Sequence, residues 1–127
     1  MTPTREADAR GIVPTNIYKI CDATLWRAAE SKGIFHGAGV DMRDGFIHFS
    51  TAAQVRATAA KHFAGADGLV LVTVDMDALG DRLKWEVSRG GDLFPHLYGP
   101  LQLAAVRSVE PLSLGSDGRH VFPEQIP

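Results

Sequence analysis

A single cysteine, Cys21, stands among 127 residues, so no intramolecular disulfide framework can form. A lone thiol suits a reducing compartment. Neither sign of charge dominates: 13 Lys and Arg oppose 15 Asp and Glu, for a net charge of −2. That balance supplies no field to draw nucleic acid or an anionic membrane surface. No apolar run approaches the ~20 residues of a membrane span. The segment from Thr4 to Arg10 is polar and mixed in charge where a signal peptide would carry an apolar core. These absences predict a cytoplasmic protein with neither nucleic acid nor membrane as partner. Repeats and low-complexity runs are lacking too, as are the glycine-rich phosphate-binding fingerprints. His36, His48, Asp41 and Asp44 do not have zinc or calcium spacing, so no metal is expected. Cys21 has no histidine near it in sequence and reads as a small buried side chain. Ser50 lacks the setting of a hydrolase nucleophile.

What is present fits one globular domain. Apolar residues make up 45% and charged residues 22%, enough of the first for a core. Residues 1–14 read as a solvated arm ending at Pro14, and 15–127 as one domain. Asn16–Ile20 alternates like a short strand. Asp22 is placed to cap a helix carrying Leu25, Trp26 and Ala29 on one face and stopping near Gly33. A long loop rich in Gly, Asp and His is expected over 33–45. Phe46–Ser50 reads as a strand entering a helix, where Thr51 and Gln54 have capping-box spacing and Val55, Ala59 and Phe63 form a stripe. Leu69–Val74 is apolar nearly throughout, the pattern of a central strand buried on both faces. A helical turn at 75–80 and strands at 82–88, 104–112 and 119–122 complete the reading. Several strands, two main helices and no regular βαβ alternation predict an α+β fold.

Two polar clusters carry the chemistry. In a strand, His48 and Ser50 share the face opposite Ile47 and Phe49, and Ser50 and Thr51 sit where a helix begins, a natural anion site. The alternative is a structural role, with Ser50 or Thr51 capping and His48 bonding locally. The second cluster runs from Trp85 to Pro100 and is expected to be a functional loop. Its glycine pair, Gly90 and Gly91, can bring backbone amides close to a ligand, and Arg89 offers a fork for phosphate or carboxylate. His96 and Tyr98 share a face if extended, and a histidine can move protons near neutral pH. A plain surface turn is the alternative there.

Three segments carry a family resemblance: Ile17–Ile20, Asp44–Ala52 with Gln54, and Leu83–Gly91 continuing through Phe94–Gly99. From about residue 16 onward the chain resembles the bacterial domain of unknown function family 952, whose fold is similar to that of ADP-ribosyltransferases. The resemblance implies a small split β-sheet with two main helices around a cleft for NAD, the candidate ligand. It places His62 and Phe63 where those enzymes keep an aromatic residue against nicotinamide. Tyr18 and Lys19 stand where they use a His or Arg. His96 stands where they use a glutamate that stabilises developing positive charge, and Glu86 is placed to take over from an adjacent strand. The usual triad therefore does not carry over.

Three functions remain open from the sequence. One is an enzyme acting on NAD, ADP-ribose or a related phosphorylated nucleotide, with His48, His96 and Glu86 as catalytic candidates. Tyr18, Lys19, Ser50, Thr51, His62, Arg89 and Tyr98 would bind the ligand. The second is a module that binds such a ligand without turnover. The third is an assembly domain in which Trp26, Trp85, Phe94 and Tyr98 make core and partner contacts.

Overall fold

The computed structural model describes residues 16–123 and Ile126; the side chain of Arg89 and the expected arm over 1–14 lie outside the described residues. The chain runs β1 (Asn16–Asp22), α1 (Ala23–Lys32), β2 (Ile34–Phe35), α2 (Gly39–Asp44), β3 (Ile47–His48) and α3 (Val55–His62). There follow β4 (Leu69–Asp75), a 3₁₀ segment (Met76–Arg82), β5 (Leu83–Val87), a turn (Arg89–Gly91), β6 (Leu93–Leu97), β7 (Leu101–Gln102) and β8 (Val106–Leu112). The class is α+β with antiparallel sheets. Among the described residues no helix is long and apolar enough to cross a membrane.

One sheet has the order β1-β4-β8, a second the order β3-β6-β5, and β2 pairs with β7. The apolar run of β4 takes the centre of the first sheet because both its faces are covered. Val72 and Val74 join Ile17, Trp26, Phe35, Ile47 and Leu97 in one core, while Leu69 and Leu71 meet Tyr18, Ile20, Val55 and Ala59 in the other. Each Val, Leu, Ile or Phe among them, fully buried, contributes about 1.5–3 kcal/mol. Cys21 belongs to the first core, and burial pushes its thiol up to about 11.

Ser50 joins the two three-stranded sheets. The ladder between β3 and β6 runs on to Phe49, whose amide donates to the carbonyl of Pro95. Pro95 has no N–H to return, and the chain turns there. Ser50 then exchanges both backbone bonds with Tyr18 of β1, at 2.8 and 2.9 Å.

The helix capped by Asp22 forms as its sequence implies. The Asp22 carboxylate accepts from the amides of Thr24 and Leu25, and Gly33 ends the helix at φ 76°. Trp26 and Ala29 are buried, but Leu25 is exposed, one position off the buried stripe. The expected loop over 33–45 contains β2 and α2. Within it the Asp41 carboxylate accepts from the Ala38 amide at 2.8 Å, a local bond that stabilises a helix too short to show as a periodic pattern. The expected loop from Trp85 to Pro100 is a hairpin of β5 and β6. Its turn is closed by Ser88 N–H to Asp92 and needs positive φ at Gly90 and Gly91. The strand expected from 104 starts at Val106 after a 3₁₀ turn. Residues 119–122 make no strand; Leu114 and His120 form an isolated bridge closed by the Gly115 and Gly118 turn.

Candidate functional site

Strand alternation in the second sheet separates core from cleft. Ile47 lies opposite Leu97, and both are buried in the core; one residue along, His48 lies directly opposite His96. The two imidazoles thus meet on the other face, with ring centroids 5.4 Å apart. Phe46 packs against both, at 4.6 Å from His48 and stacked at 4.2 Å on His96, and touches Tyr98.

Carboxylates fix each histidine. Asp41, 2% exposed, accepts from the His48 backbone amide at 3.0 Å and meets His48 Nδ1 at 2.6 Å. The same carboxylate holds the ammonium of buried Lys19 at 2.8 and 3.0 Å. Burial alone would raise the Asp41 carboxyl, but the bonds from His48 and Lys19 and the Lys19 charge outweigh it, holding the group well below the ordinary range. His48 Nε2 lies 3.0 Å from Asp44 Oδ2. Asp44 is held low, first by its bond from Arg43 and then by His48. Both His48 nitrogens can donate to these carboxylates only in the imidazolium form.

His96, 4% exposed, places Nδ1 2.8 Å from Glu86 Oε1, and the Tyr98 hydroxyl donates to the same oxygen at 2.8 Å. The bonds from His96 and Tyr98 lower the Glu86 carboxyl, and accepting from Tyr98 raises that phenol. Among the described residues no hydrogen bond engages His96 Nε2.

The histidines share a cleft of about 610 Å³. Tyr18, Lys19, Ser50 and His62 line it as well, together with Phe63, Phe94, Arg43, Thr58 and Ser88. Burial raises the Tyr18 phenol. The Ser50 and Thr58 hydroxyls share a bond of 2.8 Å. Glu86, Thr51 and Tyr98 are not in the lining: Glu86 bonds His96 Nδ1, and Tyr98 bonds the same Glu86 oxygen. Thr51 forms a reciprocal capping box, its amide donating to Gln54 Oε1 and its hydroxyl accepting from the Gln54 amide. Those amides are therefore satisfied internally, and the helix proper starts only at Val55. Arg89 lies in the hairpin turn, its side chain outside the described residues. Among the described residues no group of three His, Cys, Asp or Glu side chains is placed to hold a metal.

Sequence reasoning missed Asp41 and Phe46. Asp41 had a signal: Lys19 is flanked by Ile17, Tyr18, Ile20 and Cys21 in its strand, and a buried ammonium requires a carboxylate partner. Phe46 had one too: in the expected strand Phe46–Ser50 it shares the face of His48 and Ser50.

Fold and site together define a small α+β domain of antiparallel sheets with a histidine-lined cleft. Residues 20–109 match the family described as "Protein of unknown function (DUF952)", and the chain belongs to it. It is similar to protein CC0527 from Caulobacter crescentus. The X-ray structure of that protein is 48% identical, with a TM-score of 0.81 over 84% of this chain and 94% of that one. Its solution NMR structure is 49% identical, with a TM-score of 0.74 over 82% of this chain and 90% of that one. No curated protein matches the chain.

Proposed function

We propose that the cleft binds NAD, ADP-ribose or a related phosphorylated nucleotide, on a scaffold akin to the split sheet of ADP-ribosyltransferases. One observation carries this reading: His48 and His96 stand opposite each other on neighbouring strands, each fixed by its own carboxylate, in the wall of one cleft. Its volume of about 610 Å³ lies within the about 300–1,000 Å³ of small-molecule sites. Phe63 and Phe94 offer aromatic surface to a base or nicotinamide, and Arg43, Ser50 and His62 offer polar contacts to phosphate or ribose. The meeting of the sheets at Tyr18 and Ser50 supports the scaffold likeness.

In this reading His96 is the acid/base group. Nδ1–H donates to Glu86, which leaves Nε2 to take or give a proton. Glu86 is a positioning residue acting through His96. His48, held between Asp41 and Asp44, orients and binds.

A second reading, binding without turnover, has its own support. The nitrogens of His48 are both committed to carboxylates, so the pair offers one imidazole nitrogen where acid and base catalysis would use two. Thermal unfolding with NAD, ADP-ribose and simple nucleotides tests the site. Ligand at ~100 times its dissociation constant stabilises by about 2.7 kcal/mol, and that shift should vanish in His96→Ala and in Arg43→Ala. Turnover of the bound compound then separates enzyme from binder. No shift with any nucleotide refutes both readings.

A further inference from the structure

The hairpin strand β5 ends its sheet, and among the described residues no strand pairs with its outer edge. Its backbone polarity can be assigned. Tyr98 N–H donates to Arg82 and Ser88 N–H to Asp92, so residues 82 and 88 bond toward β6. Antiparallel ladders alternate, which turns 84 and 86 inward as well and aims the N–H and C=O of Trp85 and Val87 and the C=O of Leu83 outward, the Leu83 N–H being taken by the Gly80 carbonyl. Unpaired backbone groups along such an edge are a template for another strand. The side chains beside it are apolar and accessible. Trp85 is 43% exposed, Val87 70% and Leu93 52%, and they share one face because Val87 pairs with Leu93 and Trp85 with Pro95. This patch continues outward from the core face of the sheet. Lys84 and Glu86 project from the opposite face.

We infer that β5 joins β5 of a second copy of this chain, antiparallel about a two-fold axis at Trp85, making one continuous six-stranded sheet. The sequence Leu83-Lys84-Trp85-Glu86-Val87 is complementary to its own reverse. With Trp85 opposite Trp85, Leu83 of each copy faces Val87 of the other, and Lys84 faces the partner's Glu86. Opposite charges in such cross-strand positions stabilise, while like charges destabilise. Parity allows slides only by two residues, and these set Lys84 against Lys84 or Glu86 against Glu86. Charge therefore selects the occupant and the register together. The bonds from His96 and Tyr98 both end on Oε1 of Glu86, so Oε2 meets the ammonium of the partner's Lys84. The second copy thereby touches the carboxylate that fixes His96.

Sedimentation velocity from low micromolar to near-millimolar protein tests the assembly. The unaltered chain should pass reversibly from monomer to dimer. Val87→Pro deletes one outward N–H per copy while sparing the bonds to β6, and should weaken the dimer about tenfold. Lys84→Glu alone and Glu86→Lys alone each create two like-charge pairs and should remain monomeric. Their equimolar mixture restores both opposite-charge pairs and should associate as a heterodimer. Circular dichroism on each variant establishes that it is folded. A chain monomeric at every concentration overturns the inference. So does a dimer indifferent to the charge reversals, or a mixture that associates no better than its components.

Discussion

Asp41→Asn removes a charge from a position where it accepts from Lys19, the Ala38 amide, the His48 amide and the His48 ring. Lys19, itself buried, would lose its counter-charge. Breaking a buried pair from one side costs about 3–5 kcal/mol, a large share of the about 5–15 kcal/mol that holds a domain folded. For a chain of this length the melting temperature should fall by on the order of 10–20 °C. The double change Lys19→Met with Asp41→Asn should recover part of the loss, because the uncompensated charge is gone. The pH dependence follows from the depressed Asp41 carboxyl. Its stabilisation is complete above the unfolded value of about 3.9 and is lost as pH falls through the lower folded value. Urea unfolding across that range should thus show the gap between protein and variant narrowing in acid. A loss below about 1 kcal/mol at neutral pH, or a gap constant down to pH ~2, would refute the reasoning.

Two further outcomes concern the carboxylates that fix the two histidines. Gly37 has φ 119°, and a Cβ there would come within 2.7 Å of the Asp41 Cβ, so Gly37→Ala should cost about 1–3 kcal/mol in urea unfolding and disturb the His48 ring resonances. Glu86→Gln should let the Tyr98 phenol fall back toward about 10 in a spectroscopic tyrosine titration, while Tyr18, raised by burial, stays where it is.

The elements with strong local signals were readable from the sequence. Asp22 and Gly33 bracket a helix by chemistry that acts within a few residues, and the run from Leu69 to Val74 marks a strand with both faces covered. His48 and Ser50 sharing a face followed from strand parity alone. What was hidden depended on contacts remote in sequence. The helix at Gly39–Asp44 has a local bond at Ala38 but is held in place through Asp41 to His48 and to Lys19, 22 residues away, beyond the reach of a periodic pattern. The 33–45 segment read as a loop for that reason. Leu25 misled because residues next to each other on a helix differ by a large rotation, and Trp26 took the buried position. The pairing of His48 with His96 required knowing that β3 lies beside β6, which no pattern within either strand reveals.

The alternation of Ile47 with His48 and of Leu97 with His96 has a consequence for how the chain can vary. Side-chain replacements at the cleft leave the opposite face untouched, so the site can drift in chemistry while the core persists. A single inserted or deleted residue between Gly45 and Ser50 exchanges the faces, sending an imidazole inward and an aliphatic chain into the cleft. It would also displace Ser50 from its two bonds to Tyr18 and so part the two sheets. Length in this segment is thus under tighter constraint than identity.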